Sequence, residues 1–240
     1  MEIELKRGMH MKNQKKIIFP KIIKVSGVDY KILYPYKLDL KITENSCLGL
    51  HSGPSDTIRI TDEYDGRRLP NPTIVETFIH EILHAIDHIY CNSKINTYDY
   101  DSLNFEYEII IPELAAAWLY VLKNNNIFSV KGIPKSIDIY GYKFNVIFPY
   151  DGDVEDINVN SGAVNHDLLE IYIRANRLDG SEKFSMSYIK RFLVYFINCC
   201  IINKFIKAHK ERIEDLLIFS NGLYQVIIDN NLEDLVKKYK

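Results

Sequence analysis

The chain repeats itself, and that constrains its fold more than any single motif. Ile23 to Tyr36 reads IKVSGVDYKILYPY and Ile137 to Tyr150 reads IDIYGYKFNVIFPY, with Gly27 on Gly141, Tyr30 on Phe144 and Pro35-Tyr36 on Pro149-Tyr150. Each segment alternates apolar and polar residues about a glycine, the pattern of a β-hairpin turning near that glycine. The correspondence continues in order. LGLHSGPSDTIRI, ending at Ile60, parallels SGAVNHDLLEIYI, ending at Ile173. IVETFIHEILHAIDHIY (Ile74 to Tyr90) parallels IKRFLVYFINCCIINKF (Ile189 to Phe205), and ELAAAWLYVLKNNN (Glu113 to Asn126) parallels LIFSNGLYQVIIDNN (Leu217 to Asn231).

Matches in one order at similar spacing are the signature of a tandem duplication. The expected fold class is therefore α+β. Two tandem minimal units each have a small antiparallel sheet (a hairpin plus one or two strands) packed on two long helices. The expected boundaries are a basic polar tail over 1–16, a first unit over 17–128, a connector over 129–135, a second unit over 136–231 and a charged C-terminal tail over 232–240. SVKGIPK, Ser129 to Lys135, has the Gly and Pro that suit a short connector. The asparagines closing the last pair of helical segments read as left-handed helix caps.

Composition narrows the function classes. Lysine plus arginine number 30 against 32 aspartates and glutamates, so no global field draws the chain to nucleic acid or an anionic membrane. The start has no apolar stretch of signal-peptide type. The most apolar runs, EIIIPELAAAWLYVL and FLVYFINCCII, fall short of the ~20 residues of a membrane span. Cys47, Cys91, Cys199 and Cys200 lack C-x-x-C spacing and read as reduced, mostly buried thiols. The expectation is a soluble, cytoplasmic protein without a membrane or nucleic-acid partner.

FIHEILHAIDHIY contains H-E-x-x-H, formed by His80, Glu81 and His84. Thr73-x-x-Glu76 after Asn71-Pro72 reads as a capping box before the apolar run, which places the motif on a helix. Residues four apart on a helix project from one face, so His80 and His84 can present their imidazoles to one metal ion, with Glu81 beside them. In such sites zinc acidifies a water, and the glutamate takes the proton as that water attacks a carbonyl. The duplication supplies a control: His80 aligns with Tyr195, Glu81 with Phe196 and His84 with Cys199. The fold does not require the polar trio, and burying it without a ligand would be costly. One zinc ion, in the first unit only, is expected.

A catalytic zinc takes a third protein ligand and keeps one open position. A third histidine six residues beyond His84 is excluded, because Tyr90 stands there. Glu113 is the leading candidate: small residues Ala115, Ala116 and Ala117 follow it, and its counterpart Leu217 implies a buried position. Glu106, Glu108, Asp99 and Asp101 are alternatives. Asp87 and His88, one turn beyond His84, are candidates for orienting it or for a solvated helix end. Thr57, Ile58, Arg59 and Ile60 form a candidate edge strand for pairing an extended substrate. His51, Tyr90, Tyr107 and Tyr120 are candidate oxyanion donors or packing residues.

The hairpin, the short strand, HEILHAIDH and the helix with ELAAAWLY resemble compact gluzincin-type metallopeptidases of phages and mobile elements, the ImmA/IrrE-like group. SNGLYQVIIDNN is similar to the last helix of related small phage proteins. The resemblance implies two zincin-like units, the second degenerate. His80, His84 and Glu113 would be zinc ligands and Glu81 the catalytic base of a peptidase or related amide hydrolase. It also implies a peptide or protein substrate, with repressor-type regulators as one class. The alternative expectation is a non-hydrolytic metal-binding regulatory or partner-binding protein.

Overall fold

In chain order the first half contributes β1 (Ile22–Val25), β2 (Val28–Leu33), β3 (Gly49–Ser52), β4 (Thr57–Ile60), the short pair β5 (Glu63–Tyr64) and β6 (Arg67–Arg68), and helices α1 (Asn71–Cys91) and α2 (Ile110–Asn124). The second half contributes β7 (Ser136–Ile139), β8 (Tyr142–Ile147), β9 (Gly162–Asn165), β10 (Glu170–Ile173), α3 (Met186–Lys204), α4 (Ile213–Asp229) and α5 (Leu232–Lys237). This computed structural model describes residues 16–38, 47–95, 110–152, 161–177, 179–206 and 213–239. Residues 1–15 of the basic tail expected over 1–16, the alternative ligands Asp99, Asp101, Glu106 and Glu108, and Tyr107 lie outside the described residues.

Both hairpins turn where the glycines stand. Ser26 and Gly27 have φ of 52° and 81°, and Tyr140 and Gly141 have 51° and 82°, the paired positive values of a type I′ turn. That turn matches the right-handed strand twist and fixes the register at Val25↔Val28 and Ile139↔Tyr142. Alternation then buries Ile23, Val25, Tyr30 and Ile32 in one hairpin and Ile137, Ile139, Phe144 and Val146 in the other.

The two four-stranded sheets have the same order, β1-β2-β4-β3 and β7-β8-β10-β9. Neither is purely antiparallel, as the sequence pattern suggested; β2 runs parallel to β4, and β8 to β10. The reason lies in the neighbour order. β3 and β4 form their own antiparallel hairpin, and β4 rather than β3 inserts beside β2. A connection of a dozen or more residues makes such a parallel contact possible, and the chain between β2 and β4, which includes β3, is longer than that.

α1 packs against β1, β3 and β4, and α3 against β9 and β10. The second helices are exchanged: α2 packs on β7 of the other half, and α4 on β1. Asparagines fasten both contacts. Asn125 Nδ2 donates to the Asp138 carbonyl and Asn125 Oδ1 accepts the Asp138 N–H, at 2.9 and 2.8 Å. Asn230 does the same for Lys24, at 2.9 and 2.8 Å. Each asparagine thus closes an open edge strand, β7 or β1, with a backbone-like pair of bonds. Asn231 takes the left-handed cap expected at the end of α4, with φ of 51°.

The four long helices and both sheets share one apolar core. Trp118 of α2 is fully buried, and its Nε1 donates to Asn198 Oδ1 of α3 at 2.7 Å. The position of Trp118 in the second half is Gly222, and a Cβ there would lie 2.6 Å from Tyr90 Cδ2. One helix crossing is filled by an indole, and the other admits the Tyr90 ring from α1. The connector is held as well: the N–H groups of Ile127, Phe128 and Ser129 donate to the buried Glu233 carboxylate, and Lys190 Nζ donates to the Val130 carbonyl. Glu233 belongs to α5, so residues 232–237, charged enough to read as a tail, form a helix with Leu232 and Val236 buried. Among the described residues no helix is long and apolar enough to cross a membrane.

Candidate metal centre

α1 is amphipathic, and its polar stripe carries the motif. It starts at Asn71 with Pro72 in its first turn and no side-chain cap. The capping box expected at Thr73 does not form, because those residues are already inside the helix; Thr77 Oγ1 instead donates to the Thr73 carbonyl at 2.9 Å.

His80 and His84 point to one spot. Their Nε2 atoms are 2.9 Å apart and their rings meet edge to face with centroids 4.6 Å apart. Two imidazole nitrogens on a tetrahedral zinc, each at about 2.0–2.1 Å, lie roughly 3.3 Å from one another. The pair is therefore close to the bite of a chelating half-site. Glu81 is buried, and its Oε1 lies 4.0 Å from His80 Nε2.

Glu81 is buried because β3 lies directly on it. A Cβ on Gly49 would sit 2.5 Å from Glu81 Oε1 and 2.7 Å from Thr77 Cγ2, so any larger residue would have to displace one of them or lift the strand. Gly53, four residues on, meets His88 in the same way, with a Cβ 2.4 Å from its Nε2. Between them His51 shares the inward face of β3. Its ring centroid is 5.5 Å from that of His88 and 5.4 Å from that of the buried Tyr30, and its Nε2 is 3.4 Å from the Tyr30 hydroxyl. Burial first, then the neighbouring His84 and His88, push the His51 pKa down to about 4, so the imidazole is neutral at ordinary pH.

The second half builds the same frame without the chemistry. Gly162 of β9 lies on Phe196, the counterpart of Glu81, with a Cβ 2.9 Å from its ring. Tyr195 and Cys199, the counterparts of His80 and His84, hydrogen-bond to each other. Burial pushes the Cys199 thiol up to about 11 and raises the Tyr195 phenol as well, so both stay protonated.

The other candidates separate. Thr57 to Ile60 form β4, an interior strand with both neighbours in place, and cannot accept a further strand; the sheet edge over the motif helix is β3. Asp87 is buried, and its Oδ1 accepts the Ile95 N–H at 2.9 Å, anchoring the chain after α1. His88 sits against Gly53, just beyond the end of β3. Tyr90 packs into α4 at Gly222, and Tyr120 donates to Asp138 Oδ1 at 3.0 Å. Glu113 is exposed on the first turn of α2 rather than buried. Its charge and that of Glu76 reach the phenol of Tyr140, whose pKa burial and these two carboxylates push up to about 12. Among the described residues no group of three or more His, Cys, Asp or Glu comes together to hold a metal ion.

Gly49, Gly53 and Tyr140 were not singled out from the sequence. The signal for the first two was present in Gly49-x-His51-x-Gly53, whose period of two puts Gly49 and His51 on one strand face, with Gly53 just beyond the strand end.

No family model matches the chain, and neither the curated proteins nor the solved structures give a match.

Proposed function

We propose that the protein is a zinc-dependent metallopeptidase or related amide hydrolase, with His80, His84 and Glu113 as metal ligands and Glu81 as general base. The observation that carries this reading is the pair of Nε2 atoms 2.9 Å apart with the Glu81 carboxylate buried beside them under β3. Zinc held by such a set supplies a polarised carbonyl and an acidified water. Glu81 accepts the proton of the attacking water and delivers it to the departing amide nitrogen. Burial beneath Gly49 keeps its carboxylate in one position, as proton transfer over hydrogen-bond distance demands.

The third ligand is Glu113: its side chain is exposed on the first turn of α2, the helix that packs against the histidine-bearing α1. The substrate is an extended peptide or protein segment. β3 is the edge strand of its sheet among the described residues, runs beside the motif and offers backbone donors and acceptors to such a chain. A repressor-type regulator is one substrate class consistent with the resemblance to the ImmA/IrrE-like group.

Mass-spectrometric analysis of a peptide-library digest tests the reading. Zinc-loaded wild type cleaves peptides, whereas Glu81→Gln retains zinc and loses roughly 10²-fold or more of the activity. Cleavage by Glu81→Gln at the wild-type rate contradicts the assignment of the base. A zinc-loaded wild type that cleaves nothing supports the non-hydrolytic, regulatory reading instead.

A further inference from the structure

Polarity in the first half extends beyond the motif helix. Tyr30 of β2, His51 of β3 and His88 of α1 have Phe144, Val164 and Asn203 as their counterparts in the second half. The shared frame therefore accepts apolar residues at the two strand positions, just as it accepts Phe196 at the position of Glu81. A hydroxyl and an imidazole placed there cost desolvation that Phe and Val do not. That cost is borne in the half that carries His80, Glu81 and His84, on the strand laid over them.

The two glycines fix where His51 stands. Gly49 rests on Glu81 and Gly53 on His88, so the strand passes along the helix from one to the other. His51 lies midway, on the face of β3 that Gly49 turns to α1, opposite the turn that carries His84. Its ring centroid is 5.5 Å from that of His88, and its Nε2 lies 3.4 Å from the hydroxyl of Tyr30, a residue only 1% exposed. A phenol is a stronger donor than an imidazole N–H, and an imidazole nitrogen is the better acceptor. Tyr30 donating to Nε2 places the single ring proton of His51 on Nδ1. His51 is half-buried, as His80 and His84 are, which leaves its ring within reach of a peptide paired with β3.

We infer that His51 is a catalytic residue whose Nδ1–H donates a hydrogen bond to the carbonyl oxygen under attack, and that Tyr30 is the positioning residue that holds the proton on that nitrogen. The bond strengthens as negative charge gathers on the oxygen, which is where a preorganised donor lowers the barrier. The proton stays on His51 throughout, so Glu81 keeps its role as the base. The inference rests on the hydrolase reading, with Glu81 as base, and not on which carboxylate completes the metal ligands.

Two measurements test it. In the metal-free, full-length protein with isotope-labelled histidine, NMR should show His51 as the Nδ1–H tautomer, and Tyr30→Phe should return the proton to Nε2. An Nε2–H tautomer in the wild type overturns the inference whatever the activity. The second measurement is steady-state cleavage, by the zinc-loaded protein, of one peptide found in the library digest. His51→Val installs the residue that the second half carries; kcat should fall about 10²–10³-fold, with KM and zinc content unchanged. His51→Gln, which keeps an N–H donor, should recover part of that loss, and Tyr30→Phe should lower kcat by less than His51→Val does. Wild-type kcat in His51→Val, with Glu81→Gln inactive, overturns the inference and leaves the hydrolase reading standing. Loss of zinc in His51→Val would make His51 a metal ligand and overturn the inference alone. A zinc-loaded wild type that cleaves nothing overturns the hydrolase reading and the inference with it.

Discussion

Gly49 has no side chain, and the space one would take is occupied by Glu81 and Thr77. Gly49→Ala places its Cβ 2.5 Å from Glu81 Oε1, so either β3 lifts or the carboxylate turns away. The predicted outcome is a stability loss of about 1–3 kcal/mol by denaturant titration, unchanged zinc content, and, if Glu81 is the base as proposed, a fall in cleavage rate of roughly tenfold or more through its displacement. An unchanged rate would mean that the position of Glu81 is not set by β3. At this scale the sequence was informative where helix geometry alone decides. Residues four apart on one face bring His80 and His84 together whatever surrounds them. It was uninformative for Glu113, because a leucine in the sister helix shows only that leucine is tolerated there. The exposure of Glu113 depends on how α2 meets the other half, which no local pattern records.

The asparagines at the ends of α2 and α4 show a similar limit among the secondary-structure elements. In sequence they read as helix caps; in the fold Asn125 and Asn230 bind the backbone of the opposite edge strands. Asn125→Ala and Asn230→Ala each remove two bonds to an edge strand and should destabilise the protein by about 1–3 kcal/mol. Asn124→Ala, whose side chain bonds only to the Tyr120 carbonyl within α2, should cost less than about 0.5 kcal/mol. Equal losses at all three positions would show that the inter-half bonds carry no special weight. The hairpins, the turn glycines and the long helices were legible because alternation and helical periodicity are local. Strand order was not. Alternation tells which face of a strand is buried but not which strand lies beside it, so β4 was read as an edge although it lies inside the sheet.

Taken whole, the molecule is an α+β protein in which two copies of one sheet topology exchange their second helices around a shared core. The duplication is visible in the sequence because equivalent positions keep their spacing. The exchange is not, since a helix packing on its own sheet and one packing on its neighbour's need the same apolar stripe. The arrangement allows the halves to diverge chemically while each supplies packing surface to the other: His80, Glu81 and His84 stand in one half, and Tyr195, Phe196 and Cys199 in the other. The central claim is that this asymmetry is a metal site, and the most direct test is zinc stoichiometry by elemental analysis after metal-replete expression, for wild type and for a His80→Ala/His84→Ala double variant. The account predicts about one zinc per wild-type chain and loss of that zinc in the double variant. Less than about 0.2 zinc per wild-type chain, or equal zinc in the two proteins, would contradict it.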